Sequence, residues 1–136
     1  IKNHLKGSFD VTMSKKMPYG TSTEVMSFKV IETINKRIKI PKNTEYLEYI
    51  IENNKNFKIK FINSEYKFNP KIRLTLDYKE DFILFKKILT KFKEQLPKLT
   101  INQIINFLHA NQNLIHINST KKIKFKKNQI DTTVKI

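Results

Sequence analysis

Ile72-Arg73-Leu74-Thr75-Leu76-Asp77-Tyr78-Lys79-Glu80-Asp81-Phe82 changes its hydrophobic period midway, and that change decides the fold class. Ile72, Leu74 and Leu76 alternate with Arg73 and Thr75, the two-residue period of a strand with one wet face. From Lys79 to Gln95 the apolar residues Phe82, Phe85, Ile88, Leu89 and Phe92 recur at helical spacing, with lysines largely between them. Other stretches repeat both signals. Met26, Val30, Ile31, Ile34 and Ile38 predict a helix over residues 23–37. Ile101, Ile104, Ile105 and Leu108 predict one over 101–109, opened by Thr100 and Gln103 in capping-box spacing. A shorter helix is expected over 45–52, with Leu47, Ile50 and Ile51 buried. Phe57, Ile59 and Phe61 alternate with Lys58 and Lys60 as a second strand, and residues 9–13 offer a weaker third. Ile123 and Phe125 alternate with lysines and fit either an edge strand or a disordered tail. The linkers are residues 15–20 and 63–71, and no internal repeat is present. Interleaved helices and strands make the class α/β or α+β.

At 136 residues the chain suits one domain with a substantial core. It has no cysteine, which excludes disulfides, thiolate metal sites and cysteine nucleophiles. No apolar run reaches the ~20 residues of a membrane span, and the first residues lack the apolar core of a signal peptide. A soluble cytoplasmic protein is expected. The chain does not begin with Met, so its start is expected to be processed or missing.

The formal charge of +15 invites a nucleic-acid reading through counterion release. Composition argues against it. All but two of the 27 basic residues are lysine, and the chain is rich in Ile and Asn with a single Ala, which is a global bias rather than a selected patch. Arginine, the residue that forks onto phosphates and guanines, is nearly absent.

Few residues stand out as chemistry. With only Gly7 and Gly20, a glycine-rich phosphate loop cannot form. His4, His109 and His116 sit on no metal-ligand spacing. Asp77 follows the predicted strand directly, where ligands gather in α/β proteins, and with Glu80 and Asp81 places three carboxylates in five residues. Hard cations such as magnesium take one or two such oxygens. The competing reading is local: Asp77 and Glu80 have D-x-x-E capping-box spacing at a helix start. Glu24 likewise completes a T-x-x-E box with Thr21, after the turn at Gly20, and capping accounts for it without a ligand.

Arg73 to Phe82 resembles the R-x-T-x-D-x-x-E-D-hydrophobic motif of the cytidylyltransferases of polysaccharide biosynthesis, the spore coat polysaccharide biosynthesis protein F and CMP-Kdo synthetase homologues. Tyr19-Gly20-Thr21-Ser22-Thr23-Glu24-Val25-Met26-Ser27 is similar to their Y-P-x-G-x-x-x-E-V-x-S segment, with Pro18 here before the Tyr. Asp10-Val11-Thr12, residues 101–108 and Ile117-Asn118 fall in matching order, so the resemblance runs from about residue 8 to about 118. Two motifs of that family, a basic L-x-x-R-x-x-S-x-R-L-P-x-K segment and a G-D-x-P metal motif, do not occur, and Lys79 replaces the usual Pro.

The resemblance implies the C-terminal half of a nucleotide-diphospho-sugar-transferase-like, Rossmann-like three-layer fold, a mixed sheet flanked by helices. Residues 1–118 would form it and 119–136 a lysine-rich extension. For a complete protein it implies activation of a sugar or sugar acid with CTP, giving a CMP-sugar and pyrophosphate for surface polysaccharides. Asp77 would be a magnesium ligand, Arg73 a substrate or structural contact, and Glu24 a substrate-side residue. Homo-oligomers are expected, because a half-fold leaves strand edges and apolar faces exposed. A non-catalytic binding or assembly domain of the same fold, and a lysine-rich binder of nucleic acid or anionic surfaces, are the alternatives.

Overall fold

The computed structural model describes residues 1–37, 47–52 and 54–121, and the alternating stretch around Ile123 and Phe125 lies outside them. They group into two compact units, one drawn from residues 1–15 and 23–63, the other from 16–22 and 64–121.

The first unit is built on a short mixed sheet. Strand β1 (Val11–Lys15) pairs antiparallel with β2 (Glu24–Met26) and parallel with β3 (Ile59–Asn63), giving the order β2-β1-β3. Because successive side chains alternate between faces, Val11 and Met13 point to one side and Thr12 to the other. The first side carries helices α2 (Phe28–Arg37) and α3 (Leu47–Glu52), whose Val30, Ile34, Ile50 and Ile51 close a core over Val11 and Met13. On the opposite side, helix α1 (Lys2–Lys6) brings buried His4 within 3.0 Å of the Thr12 hydroxyl. The unit is therefore a helix–sheet–helix sandwich. The strand at residues 9–13 and the helix at 45–52 form near their expected places, and α1 carried no periodic signal.

Glu24 to Met26 departs from expectation. These residues are a strand, so the helix starts at Phe28 and the T-x-x-E capping box does not form. The groups that would cap are otherwise engaged. Thr21 Oγ1 donates to the Pro18 carbonyl at 2.8 Å, the Thr23 amide donates to Ser14 Oγ at 2.7 Å, and the Ser14 amide donates to the Thr23 carbonyl at 3.0 Å. Register pairs Met13 with Glu24 and Val11 with Met26, and the sheet contacts outweigh local helical spacing.

The second unit is mostly helical. Helix α4 (Lys79–Lys91) runs into a 3₁₀ turn (Lys93–Lys98) holding Pro97, followed by α5 (Ile101–Ala110) and α6 (Gln112–Ile115). Its core joins Ile72 and Leu74 to Leu84, Ile88 and Phe92 of the α4 region and to Ile105, Leu108 and Ile115. Phe92 and Phe107 meet edge to face, their centroids 5.5 Å apart. The predicted buried stripe of α4 is rotated. Asp81, Leu84 and Ile88 face inward, while Phe82 and Leu89 are 59% and 46% exposed. Residues 72–76 bury Ile72 and Leu74 as their alternation predicts but leave Leu76 exposed, and the strand shrinks to a single parallel bridge, Tyr19 with Arg73. The capping box at Thr100 and Gln103 forms as read.

Candidate functional site

The turn from Ile72 into α4 carries a network of polar groups centred on Arg73 and Asp81. Arg73 does not point to solvent from a wet strand face; it is buried. Its backbone is fixed by the bridge to Tyr19, where the Leu74 amide donates to the Tyr19 carbonyl at 2.8 Å. That close approach depends on Gly20. Its φ is +91°, and a Cβ there would run into the Leu74 carbonyl oxygen. The guanidinium lies over two tyrosine rings, 5.1 Å from the Tyr19 centroid and 5.4 Å from that of Tyr78.

Asp81 is the acceptor this arrangement turns on. Its carboxylate is fully buried and receives Arg73 Nε at 3.1 Å, Arg73 Nη2 at 3.2 Å and Asn118 Nδ2 at 2.8 Å. The amides of Asp77 and Tyr78 each donate to its Oδ2 at 3.0 Å, with the Thr75 hydroxyl at 3.3 Å. Burial by itself raises the Asp81 carboxyl, but the donors from Arg73, Asn118 and the two amides outweigh it and bring it down to about 2. Burial likewise opposes the charge on Arg73, and the bond and charge of Asp81, with Asp77 behind, hold the guanidinium above its ordinary value.

This settles the local competition at the head of α4. Tyr78 occupies the N-cap position and Asp81 takes its backbone amide from three residues on, so the reciprocal half of a capping box comes from Asp81 rather than Glu80. Asp77 is not the cap. It sits one residue earlier with its side chain 55% exposed, and its Oδ2 accepts from Arg73 Nη2 at 2.7 Å. Glu80 leaves the site and pairs with Lys121 at 2.9 Å, which lowers its carboxyl.

Arg73 and Asp77 are thus in direct contact within the second unit. Glu24 lies in the first, exposed on β2. There it adds to the raised carboxyl of Glu48, where burial is the largest cause, and neighbouring Lys15 pairs with Glu52.

The carboxylates allow a direct test of fit to magnesium. Among the described residues no group of three or more His, Cys, Asp and Glu side chains could hold a metal. Asp81 is spent on Arg73, Asn118 and backbone amides. Asp77 presents one oxygen beyond its Arg73 contact, which matches the one or two protein carboxylates that magnesium takes when phosphates and water complete its shell. Asp77 could supply one such oxygen, and the described residues do not complete a metal site by themselves.

Asn118, Tyr19 and Tyr78 are the residues that spacing did not single out, and Asp81, read there only as one of three clustered carboxylates, is the centre of the network. One signal could have found them. Arg73 is one of two arginines among 27 basic residues, and a bidentate, stacked position is where lysine cannot substitute.

No family profile matches the chain. It is 35% identical over 122 residues to an uncharacterized protein of Methanocaldococcus jannaschii, an alignment covering 88% of this chain and 49% of that protein. A cytidylyltransferase from Leptospira borgpetersenii serovar Hardjo-bovis superposes with a TM-score of 0.74 at 19% identity, covering 90% of this chain and 51% of the other. The chain spans about half the length of each. No helix among the described residues is long and apolar enough to cross a membrane. The chain has an α/β fold with a mixed sheet and flanking helices, shared with about half of that cytidylyltransferase structure.

Proposed function

We propose that these residues form the second half of a sugar-activating cytidylyltransferase. A sugar or sugar-acid hydroxyl attacks the α-phosphate of CTP, the new P–O bond gives a CMP-sugar, and the bond to the β-phosphate breaks to release pyrophosphate. Residues 1–118 belong to the catalytic fold and 119–136 to a basic extension. The protein works in the cytoplasm, as a homodimer or larger assembly, in surface polysaccharide synthesis.

One observation carries this reading: 90% of the chain superposes on a cytidylyltransferase structure. The motif supports it, because Arg73, Thr75, Asp77 and Asp81 of the residues that resemble the family's R-x-T-x-D-x-x-E-D pattern are joined in one network, with Glu80 outside it on Lys121. Asp77 is a ligand for magnesium, which when bound neutralises charge on the triphosphate. Arg73 is a substrate or structural contact, and its Nε and Nη2 hold the Asp81 and Asp77 carboxylates. Glu24 is a substrate-side residue, exposed at the start of β2.

The test is pyrophosphate release from CTP by the complete protein to which these residues belong, with magnesium and a panel of sugars and sugar acids. Release that requires CTP and one acceptor class is expected. No release with any acceptor in the panel contradicts the proposal.

A further inference from the structure

We propose that Asn118 is a positioning residue for the Asp77 carboxylate, acting through Arg73 and Asp81. Asn118 follows α6, far along the chain from the head of α4, and its side chain is fully buried. Its single Nδ2 group donates twice, to the Arg73 carbonyl at 3.0 Å and to Asp81 Oδ1 at 2.8 Å. Both acceptors belong to the pair that holds Asp77. Arg73 Nη2 grips the Asp77 side chain, and Asp81 Oδ2 receives the Asp77 amide at 3.0 Å. One amide group therefore fixes the backbone behind Arg73 and the carboxylate in front of it, and those two together fix Asp77.

The other end of the same side chain says why an amide stands here. Asn118 Oδ1 is buried with no hydrogen-bond partner among the described residues. A buried acceptor left unpaired costs stability, and an apolar side chain of the same size would avoid the cost. The residue is there for its donors. The two acceptors also settle which end of the amide is nitrogen, since an oxygen facing the Asp81 carboxylate and the Arg73 carbonyl would be repelled by both.

Asp77 itself is half exposed, and an exposed aspartate samples several staggered rotamers unless something holds it. The chain Asn118 to Arg73 and Asp81 to Asp77 holds it through one carboxylate oxygen and the backbone amide. Its functional consequence alone rests on the cytidylyl-transfer reading.

The primary experiment reads Asp77 χ1 from three-bond couplings in the isotope-labelled 136-residue chain. One dominant rotamer is expected in the wild type. In Asn118→Leu, which removes both donors at similar volume, the couplings should average while the amide spectrum stays dispersed. A single Asp77 rotamer retained in folded Asn118→Leu overturns the proposal. Should Asn118→Leu not fold, Asn118→Ser, which keeps one donor, is read the same way, and an unchanged rotamer overturns it equally. In the complete protein, Asn118→Leu should raise the magnesium needed for half-maximal pyrophosphate release about tenfold, with the KM for CTP at saturating magnesium unchanged. An equal rise in both would mean a general structural loss and also overturns it. A wild type that releases no pyrophosphate refutes the cytidylyl-transfer reading, and the couplings still decide the positioning.

Discussion

Arg73 and Asp81 illustrate how one buried charge pair can organise a whole turn. Neither is tolerable alone out of water, and the structure surrounds both with donors, acceptors and aromatic faces. Replacing one partner should therefore be expensive. Arg73→Lys keeps the charge but loses the fork and the stacking, and should cost about 3 kcal/mol in denaturant unfolding. The Asp81 carboxyl titrates near 3.8 when unfolded and about 2 when folded. Its contribution is then fully present above pH ~4 and disappears as pH falls toward 2, roughly 2 kcal/mol in all. Asp81→Asn should flatten that limb of a stability profile measured between pH 5 and 2, and an unchanged limb would assign the acid sensitivity elsewhere. Asp77 was legible as a site candidate from its place between strand and helix signals. The central role of Asp81 was not, because its donors come from residues 73 and 118 and from the turn itself, and only the folded chain brings them together.

At the scale of elements, local rules held where nothing competed with them. The box at Thr100 is solvated and short-range, and it forms as spacing predicts. Thr100→Ala should cost about 1 kcal/mol without changing any property of Asp77, measured by thermal or urea unfolding. The equivalent spacing at Thr21 and Glu24 failed because β1 offered a pairing partner, and a three-residue strand cannot be told from a first helical turn by periodicity. The α4 stripe was misread for a related reason. The inward-facing position at residue 81 is an aspartate, so an apolar count placed the buried face one residue late, at exposed Phe82. Gly20 belongs to this scale too. Its positive φ and its contact with the Leu74 carbonyl predict that Gly20→Ala costs about 2 kcal/mol and loosens the Tyr19–Arg73 bridge, visible as faster exchange of the Leu74 amide.

For the whole molecule, the α/β class followed from alternating and helical periods, and the mixed sheet required the pairing that only the structure shows. The net charge of +15 is nearly all lysine, whereas the buried cation at the candidate site is an arginine. With two glycines and no basic phosphate-gripping segment in its 136 residues, the chain by itself should release no pyrophosphate from CTP, and clear multiple turnovers would contradict that. The central claim is that Asp77 serves a nucleotide rather than the fold. Its most direct test compares wild type and Asp77→Asn in the complete protein, following magnesium-dependent pyrophosphate release together with unfolding. Because Asp77 is not the helix cap and its bond to Arg73 is half exposed, the stability change should stay within about 1 kcal/mol. Loss of the charge should lower the rate on the order of 100-fold. An Asp77→Asn protein that keeps its magnesium-dependent rate would contradict the account.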